Sequence, residues 1–216
     1  DANTSGTTNI AIGVNALGEN TTASDSVAVG HSALKLNTTG AKNVAVGYEA
    51  LDANTTASNN TALGYGTLTA NTTGSNNTAI GYQALLSNTT GISNVALGYA
   101  ALDANTTANN NTALGYNALG DNTTGTENVA VGGFAGDAIT TGNHNTAIGY
   151  QTFGAATTGT YCTAVGAYAL DAAVTGNSNT AMGYASMGSH TTGTNNVAMG
   201  VNSLFTNTSG SNTVAL

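Results

Sequence analysis

The chain has 216 residues, only 6% of them charged, and ten acidic residues against two basic ones give a formal charge of −8. This acidic balance argues against nucleic acid as a partner and against binding to an anionic membrane surface. With 40% hydrophobic residues, the composition does not favour charge-driven disorder. No stretch approaches the ~20 apolar residues of a membrane-spanning helix, so we expect no direct membrane insertion in this segment.

One glycine recurs with a constant 17-residue period, from Gly13 to Gly200, in twelve copies without insertion or deletion. We number each repeat from this glycine as position 0. Position −2 is alanine in every copy, and Ala215 begins a truncated thirteenth copy. A fixed period is typical of repeat architectures, which grow along one axis without a second core. We therefore expect residues 1–216 to form a single repeat domain of about twelve full coils and a truncated last one.

Each repeat begins with a predicted β-strand that ends at the glycine. Position −3 is Val or Thr in most copies and position −1 is aliphatic or Met, as at Thr78 and Ile80. Similar residues two apart indicate a strand, and we expect both to point into the coil. The glycine then allows the backbone to turn a corner.

Two further segments complete each repeat. Tyr-x-Ala-Leu, as in residues 82–85, predicts a short second strand or an irregular bend. Asn-Thr-Thr-Gly, as in residues 71–74, predicts a turn whose threonines form a third short strand or cap the turn. The predicted fold class is therefore all-β, a parallel β-solenoid or β-roll of 17-residue coils. Stacking at about 4.8 Å would place identical residues above one another and form Asn and Tyr ladders.

The invariant alanine bears on assembly. Because it lies between the two residues expected to point inward, it should face the opposite side of the strand. Apolar character on both faces indicates that both are covered, as in buried parallel strands. We predict that this column packs against another chain of a homo-oligomer. The predicted inter-chain packing residues are Ala45, Ala62, Ala79, Ala96 and Ala113. The alternative is that a tight coil requires a small residue there.

The segments Asn43-Val44-Ala45-Val46-Gly47 and Asn94-Val95-Ala96-Leu97-Gly98 resemble the head repeats of trimeric autotransporter adhesins. Similar repeats occur in phage tail fibres. The resemblance covers essentially the whole chain. It implies a left-handed parallel β-roll in which three chains pack side by side into a homotrimer. The repeats of that family are usually shorter, and the tyrosine after the glycine is not part of its pattern.

No group of residues predicts catalysis, and we expect neither an enzyme nor a cofactor or metal site. His31, His144 and His190 fall in three different columns and are interpreted as surface or turn residues. The single cysteine, Cys162, excludes an intrachain disulfide, and it replaces an asparagine of its column. We predict that it is a small, inert, buried residue.

Two other patterns invite functional interpretations that we do not favour. The aspartates at position +5 lie two or three coils apart, too far to share an ion whose oxygen ligands stand about 2.4 Å away. They are Asp52, Asp103, Asp137 and Asp171. The repeated Asn-Thr-Thr segments have the form of N-glycosylation sites, and we interpret them as structural asparagine ladders. They include Asn20, Asn37, Asn54, Asn71 and Asn88.

Residues 133–174 depart from their neighbours. Tyrosine is replaced by Gly133 or Ala167, and the ladder asparagine by Ile139, Ala156 or Ala173. An exposed apolar patch here would be a candidate contact surface. Its residues are Phe134, Ile139, Phe153, Tyr161 and Tyr168. The alternative is neutral drift or a change in the cross-section of the coil.

These observations predict a structural and adhesive fibre segment, extracellular or on a cell surface, that presents repeated surface to a host or other ligand. One alternative is the shaft or receptor-binding segment of a phage tail fibre, located on the virion. Another is ice or glycan-surface binding by the threonine ladder. For this last function we expect one rank of threonine per coil, because adjacent residues in a strand point to opposite faces.

Overall fold

The computed structural model describes residues 2–155, 158–172 and 174–216. It comprises two compact units, Asp1–Asn109 and Asn110–Leu216. Both units are parallel β-solenoids with coils of about 17 residues, about twelve coils in total, which confirms the predicted fold class. The described residues contain no helix, and hence none that could cross a membrane. The assignment of 1–216 to one domain stays a prediction.

Each coil contributes one short strand. In the first unit these are β1 (Ile10–Ile12), β2 (Val27–Val29), β3 (Val44–Val46), β4 (Thr61–Leu63), β5 (Thr78–Ile80) and β6 (Val95–Leu97). In the second unit they are β7 (Thr112–Leu114), β8 (Val129–Val131), β9 (Thr146–Ile148), β10 (Thr163–Val165), β11 (Thr180–Met182), β12 (Val197–Met199) and β13 (Val214–Ala215).

Within each unit, neighbouring strands pair in parallel and in register. Ala62 pairs with Ala79, and Ala79 with Ala96, in the first unit. Ala147 pairs with Ala164 in the second. Since each residue lies beside its equivalent in the next repeat, side chains of one type form columns along each unit.

The rest of the coil consists of turns and bends. Outside residues 156, 157 and 173, the predicted second and third strands do not form, and the irregular-bend alternative is the one observed. Three positions per coil besides the repeated glycine adopt the left-handed region, as at Asn76 (φ 63°), Gln83 (φ 55°) and Leu85 (φ 52°). A residue in this region cannot continue an extended strand, so these positions lie where the chain bends.

The strand faces the opposite way from our prediction. Ala79 is fully buried within its own chain, whereas Thr78 and Ile80 on either side of it are partly exposed. Asn77, Leu85 and the small residues beside them fill the interior, so the strand wall has room only for a methyl group.

The same holds for the alanines predicted to contact another chain. Ala45, Ala62, Ala79, Ala96 and Ala113 are each 0% exposed. The argument for inter-chain packing through them is therefore lost, and the alternative, a small residue required by a tight coil, fits the structure.

Buried asparagines hold successive coils together. At position +13, Asn77 Nδ2 donates to the Gly91 carbonyl (2.8 Å), and its Oδ1 accepts from the Asn94 backbone N–H (2.9 Å). At position +7, Asn88 Nδ2 donates to Asn71 Oδ1 (2.9 Å) and to the Gly91 carbonyl (3.1 Å). These ladders satisfy backbone groups that water cannot reach. The two predicted asparagine ladders are thereby confirmed.

The burial of the position +7 column also bears on glycosylation. Asn20, Asn37, Asn54, Asn71 and Asn88 are at most 2% exposed. Their amides are engaged inside the coil, as the structural interpretation of the Asn-Thr-Thr segments requires.

Candidate functional site

The exposed side of the strands is largely apolar and carries no Asp, Glu, Lys or Arg. We call the residues at positions −3, −1 and +1 the outward strand face. Around Gly98 it consists of Val95, Leu97 and Tyr99, which are 41%, 39% and 48% exposed. No Asp, Glu, Lys or Arg occupies these positions in any repeat. Large exposed apolar surfaces mark interaction sites in soluble proteins.

An aromatic ladder runs along this face in the first unit. His31, Tyr48, Tyr65, Tyr82 and Tyr99 stack in order, with ring centroids 5.1–5.3 Å apart and interplanar angles of 7–10°. The ladder predicted for the tyrosine column is thus present. Because the rings stack face to face, they present mainly their edges to solvent.

The second unit has an aromatic ladder of its own, with tilted rings. Three repeats of this unit lack an aromatic residue at position +1, where Gly133, Ala167 and Val201 stand, and the first two of them carry one at position +2 instead. The Phe134 ring lies 5.0 Å from Tyr116, and the Tyr168 ring 5.7 Å from Tyr184 at an angle of 75°. The apparent loss of tyrosine in these two repeats is therefore compensated one residue further along the chain.

The structure does not place the five predicted contact-patch residues on one surface. Ile139 and Phe153 are buried, because positions +7 and +4 face the interior. Phe134 and Tyr168 belong to the aromatic ladder, and Tyr161 lies at position +12 on another part of the coil. The prediction of one exposed patch was wrong for the first two residues. The substitutions at Ala156 and Ala173 lie outside the described residues.

Tyr161 takes part in a small surface column. Its ring stacks on His144 with centroids 4.8 Å apart and an interplanar angle of 6°. His144 Nδ1 lies 2.9 Å from Glu127 Oε2 in the preceding coil. All three side chains are substantially exposed, so an ion pair here contributes little to stability.

The histidines lie in three different columns, as predicted. His31 joins the aromatic ladder and His144 the surface column. His190 is fully buried at position +7, in place of a ladder asparagine. Its Nδ1 lies 3.0 Å from the Asn207 carbonyl and its Nε2 lies 2.9 Å from the Gly193 carbonyl. The interpretation of His190 as a surface or turn residue was therefore wrong.

Cys162 is a buried replacement for an asparagine, as predicted. The Asn179 backbone N–H donates to Cys162 Sγ at 3.4 Å, and the thiol lies 3.5 Å from the Gly176 carbonyl. Burial raises the pKa of the Cys162 thiol, which disfavours the reactive thiolate.

Asp137, in the second unit, has the most strongly perturbed carboxyl group among the described residues. Burial raises the pKa of Asp137 to about 6, and the charges of Asp121 and Asp171 raise it as well. Asp137 and Asp171 both occupy position +5, with Gly154 between them. Among the described residues, no group of three or more His, Cys, Asp or Glu side chains could hold a metal ion.

The two threonines of the Asn-Thr-Thr corner differ in exposure. Thr72 is half-buried, and its hydroxyl donates to the Thr89 carbonyl at 3.1 Å, whereas Thr73 is exposed. The corner is a bend and not a strand, but one rank of exposed threonine per coil is found, as we expected.

The second unit also contains a pocket of about 290 Å³, which our sequence analysis missed. It is lined by Tyr168, Asp171, Tyr184, Ala185, Gly188 and Phe205. The sequence does contain a signal for this pocket. Position +5 in four successive repeats is occupied by Gly154, Asp171, Gly188 and Phe205. In a stacked column, a glycine between two larger side chains leaves a gap.

Comparisons with known protein families, curated proteins and solved structures find no match to this chain.

Proposed function

We propose that this chain is a segment of an extracellular fibre with a structural and adhesive role, assembled as a parallel homotrimer. The resemblance of its N-[TV]-A-[IVL]-G segments to trimeric autotransporter adhesin heads supports this proposal and the left-handed roll that goes with it. The shaft of a phage tail fibre is the alternative setting for the same assembly.

The outward strand face carries the proposal. Parallel sheets are normally covered on both faces, and the interior of the coil covers only the alanine side. The other side presents valine or threonine, an aliphatic residue and an aromatic ring in coil after coil, as at Val95, Leu97 and Tyr99. Identical chains could cover these columns for one another.

The available area suits a stable interface. Tyr48, Tyr65, Tyr82 and Tyr99 are each 42–49% exposed. If a tyrosine side chain carries about 200 Å², these four rings expose roughly 350 Å² in the first unit alone. The aliphatic and Val/Thr columns add to this, and a stable interface needs about 800 Å² per partner.

The distribution of charge also favours association through the outward strand face. Copies of a chain with a net charge of −8 repel one another, but no charged side chain belongs to the outward strand face. Association through this face keeps the carboxylates of different copies apart and avoids burying an unpaired charge.

Light scattering of the chain in solution tests the assembly. One chain has a mass of 21.1 kDa, and we expect a particle of three times that mass. A mass of 21.1 kDa at every concentration up to the millimolar range would contradict the homotrimer. Adhesion is tested separately, by binding of the fluorescently labelled trimer to a glycan array and to host-cell surfaces. Failure to bind either would count against the adhesive role and leave the assembly standing.

A second candidate function is binding to ice or to a glycan surface through the threonine corners. The observation that favours it is that the second threonine of each Asn-Thr-Thr corner is exposed, so that residues such as Thr73 and Thr90 form a rank one coil apart. A thermal-hysteresis measurement tests ice binding. Replacement of Thr73 and Thr90 by lysine should abolish any hysteresis, and its absence at high protein concentration would remove ice binding.

A further inference from the structure

The pocket in the second unit is formed by an irregularity in one column of side chains. At position +5, Gly188 lies between Asp171 and Phe205. A Cβ at Gly188 would stand only 2.8 Å from Phe205 Cε2, so the phenyl ring occupies part of the space that a side chain would fill. The remaining gap is open to solvent beside Ala185.

Aromatic rings form much of the wall. Tyr168 and Tyr184 meet edge to face, with centroids 5.7 Å apart and an interplanar angle of 75°. Tyr184 and Phe205 are 54% and 42% exposed, so both rings are accessible. Because the rings are set at an angle to one another, more than one aromatic ring can contact a single bound ligand.

The charge of the pocket is negative. Asp171 supplies a carboxylate, and burial raises its pKa, with a backbone hydrogen bond at Gly154 acting in the opposite direction. The only lysines of the protein, Lys35 and Lys42, belong to the first unit, and the sequence contains no arginine. No lysine or arginine of the second unit therefore neutralises Asp171 or repels a cation.

The chemistry of the lining selects the kind of cation. Calcium and magnesium bind through six or more oxygen ligands, whereas this pocket offers one carboxylate among aromatic and small side chains. Alkylated ammonium groups are instead bound by aromatic faces, assisted by a nearby negative charge. From this geometry we propose that the pocket binds a small organic cation of the trimethylammonium class, with Asp171 as its counter-ion and Tyr168, Tyr184 and Phe205 as its aromatic contacts.

The expected affinity is modest. A pocket of about 290 Å³ lies at the lower end of the range for ligand sites, and it is open on one side. For a ligand of fewer than ten non-hydrogen atoms we expect a dissociation constant on the order of 1 mM. The site goes beyond the proposed fibre function and is formed within one chain. Because Tyr184 also belongs to the outward strand face, choline binding and assembly through that face should compete.

A titration with choline, followed by the aromatic NMR signals of the full chain, tests the proposal. The control ligand is 3,3-dimethylbutan-1-ol, which has nearly the same shape without the charge. Choline should saturate the tyrosine signals at least ten times more tightly than the alcohol. Equal affinities would show an apolar cleft without cation recognition and would overturn the proposal, as would the absence of choline binding up to 50-fold above the expected constant, or about 50 mM.

Two variants locate the site. Asp171→Asn should weaken choline binding roughly tenfold, which corresponds to about 1.4 kcal/mol. Asp103→Asn, at the same position in a repeat of the first unit, should leave binding unchanged. Gly188→Thr should block the gap, and Thr69 at the equivalent position indicates that the coil accepts this side chain. Unchanged binding in Asp171→Asn would overturn the proposal even if Gly188→Thr failed to fold.

The same titration with phosphocholine distinguishes two sources of the cation. Binding as tight as that of choline would identify a headgroup as the source, and weaker binding a free cation; both support the trimethylammonium class. Light scattering of the titrated sample keeps this result separate from the proposed trimer, because Asp171→Asn should not change the mass.

Discussion

At the scale of single residues, the repeated glycine is the most constrained position. Gly64 has a φ of +134°, and a Cβ there would lie 2.5 Å from the carbonyl oxygen of Gly81 in the next coil. Both the backbone conformation and the close approach of the next coil therefore exclude a side chain. We predict that Gly64→Ala lowers the free energy of unfolding by about 3 kcal/mol or more. Urea denaturation followed by circular dichroism measures this change.

A neighbouring glycine provides the matched control. Gly66 also has positive φ (+61°), but a Cβ there would meet its nearest atom, Gln83 Cγ, at an ordinary 3.5 Å. Glu49 and Gln83 occupy the equivalent position with φ of 53° and 55°. Gly66→Asn should therefore change stability by less than about 1 kcal/mol. Equal losses in the two variants would refute the argument from close approach.

A second prediction at this scale concerns Asp137. Burial raises its pKa from 3.8 to about 6, assisted by the charges of Asp121 and Asp171. Because the folded state binds this proton more tightly than the unfolded state does, the contribution to stability is fully present below pH 3.8 and is lost as the pH rises through about 6. Asp137→Asn should therefore stabilise the protein at pH 7.5, by about 1 kcal/mol once solvent screening of a half-exposed group is allowed for.

Chemical denaturation at pH 3.5 and pH 7.5 checks this expectation. The gain should be much smaller at pH 3.5, where the wild-type carboxyl is also neutral. A gain of the same size at both pH values would indicate a packing effect and not a charge effect.

At the scale of structural elements, the asparagine ladder joins one coil to the next. Asn77 satisfies the Gly91 carbonyl and the Asn94 N–H, and both bonds are buried. Asn77→Ala should cost about 1–3 kcal/mol, because the buried Asn94 N–H loses its partner. The Gly91 carbonyl keeps the hydrogen bond from Asn88 Nδ2. Hydrogen exchange should show the largest loss of protection in the two coils that Asn77 joins.

Asn76 is the control for this variant. It precedes Asn77, but its side chain is exposed. Ser93 has a φ of 58° at the equivalent position, so serine is compatible with the backbone there. Asn76→Ser should have little effect on stability. A comparable loss in both variants would show that the chain is sensitive to any substitution in this corner.

At the scale of the whole molecule, the outward strand face is expected to determine assembly. Leu97→Glu would place a carboxylate within the proposed interface, where it would be buried without a partner. Since Leu97 is already 39% exposed in the single chain, the coil itself should remain folded. We expect light scattering to show dissociation of the trimer, with unchanged circular dichroism.

The matched substitution is Thr73→Glu, which adds the same charge at an exposed corner position outside the outward strand face. It should leave the trimer intact. Dissociation by Thr73→Glu alone, or an intact trimer in Leu97→Glu, would place the interface elsewhere.

Much of the fold could be predicted from the sequence because every repeat has the same length and a similar pattern, so each coil is expected to stack on the next in the same way. With a constant period, the pairing of Ala62 with Ala79 follows once the coils stack, and so do the asparagine and tyrosine columns. A short strand ending at a glycine is likewise a local property, set by alternation and by the need for an unusual φ. Period, strand position and ladders were therefore determined by the sequence itself.

Which face of the strand points inward was decided only in the folded coil. Both Thr78-x-Ile80 and Ala79 are compatible with burial, and alternation alone does not distinguish the two faces. The outcome depends on Leu85 and Asn77, which fill the interior from other walls of the coil and leave room only for alanine.

The pocket has the same origin in tertiary structure. Asp171, Gly188 and Phe205 belong to successive repeats and acquire a common environment only when their coils stack. Local pattern determines the repeat because it depends on neighbours in sequence. Which face of the strand is buried, and the shape of the pocket, depend instead on the size of side chains that are distant in sequence and become neighbours only in the folded coil.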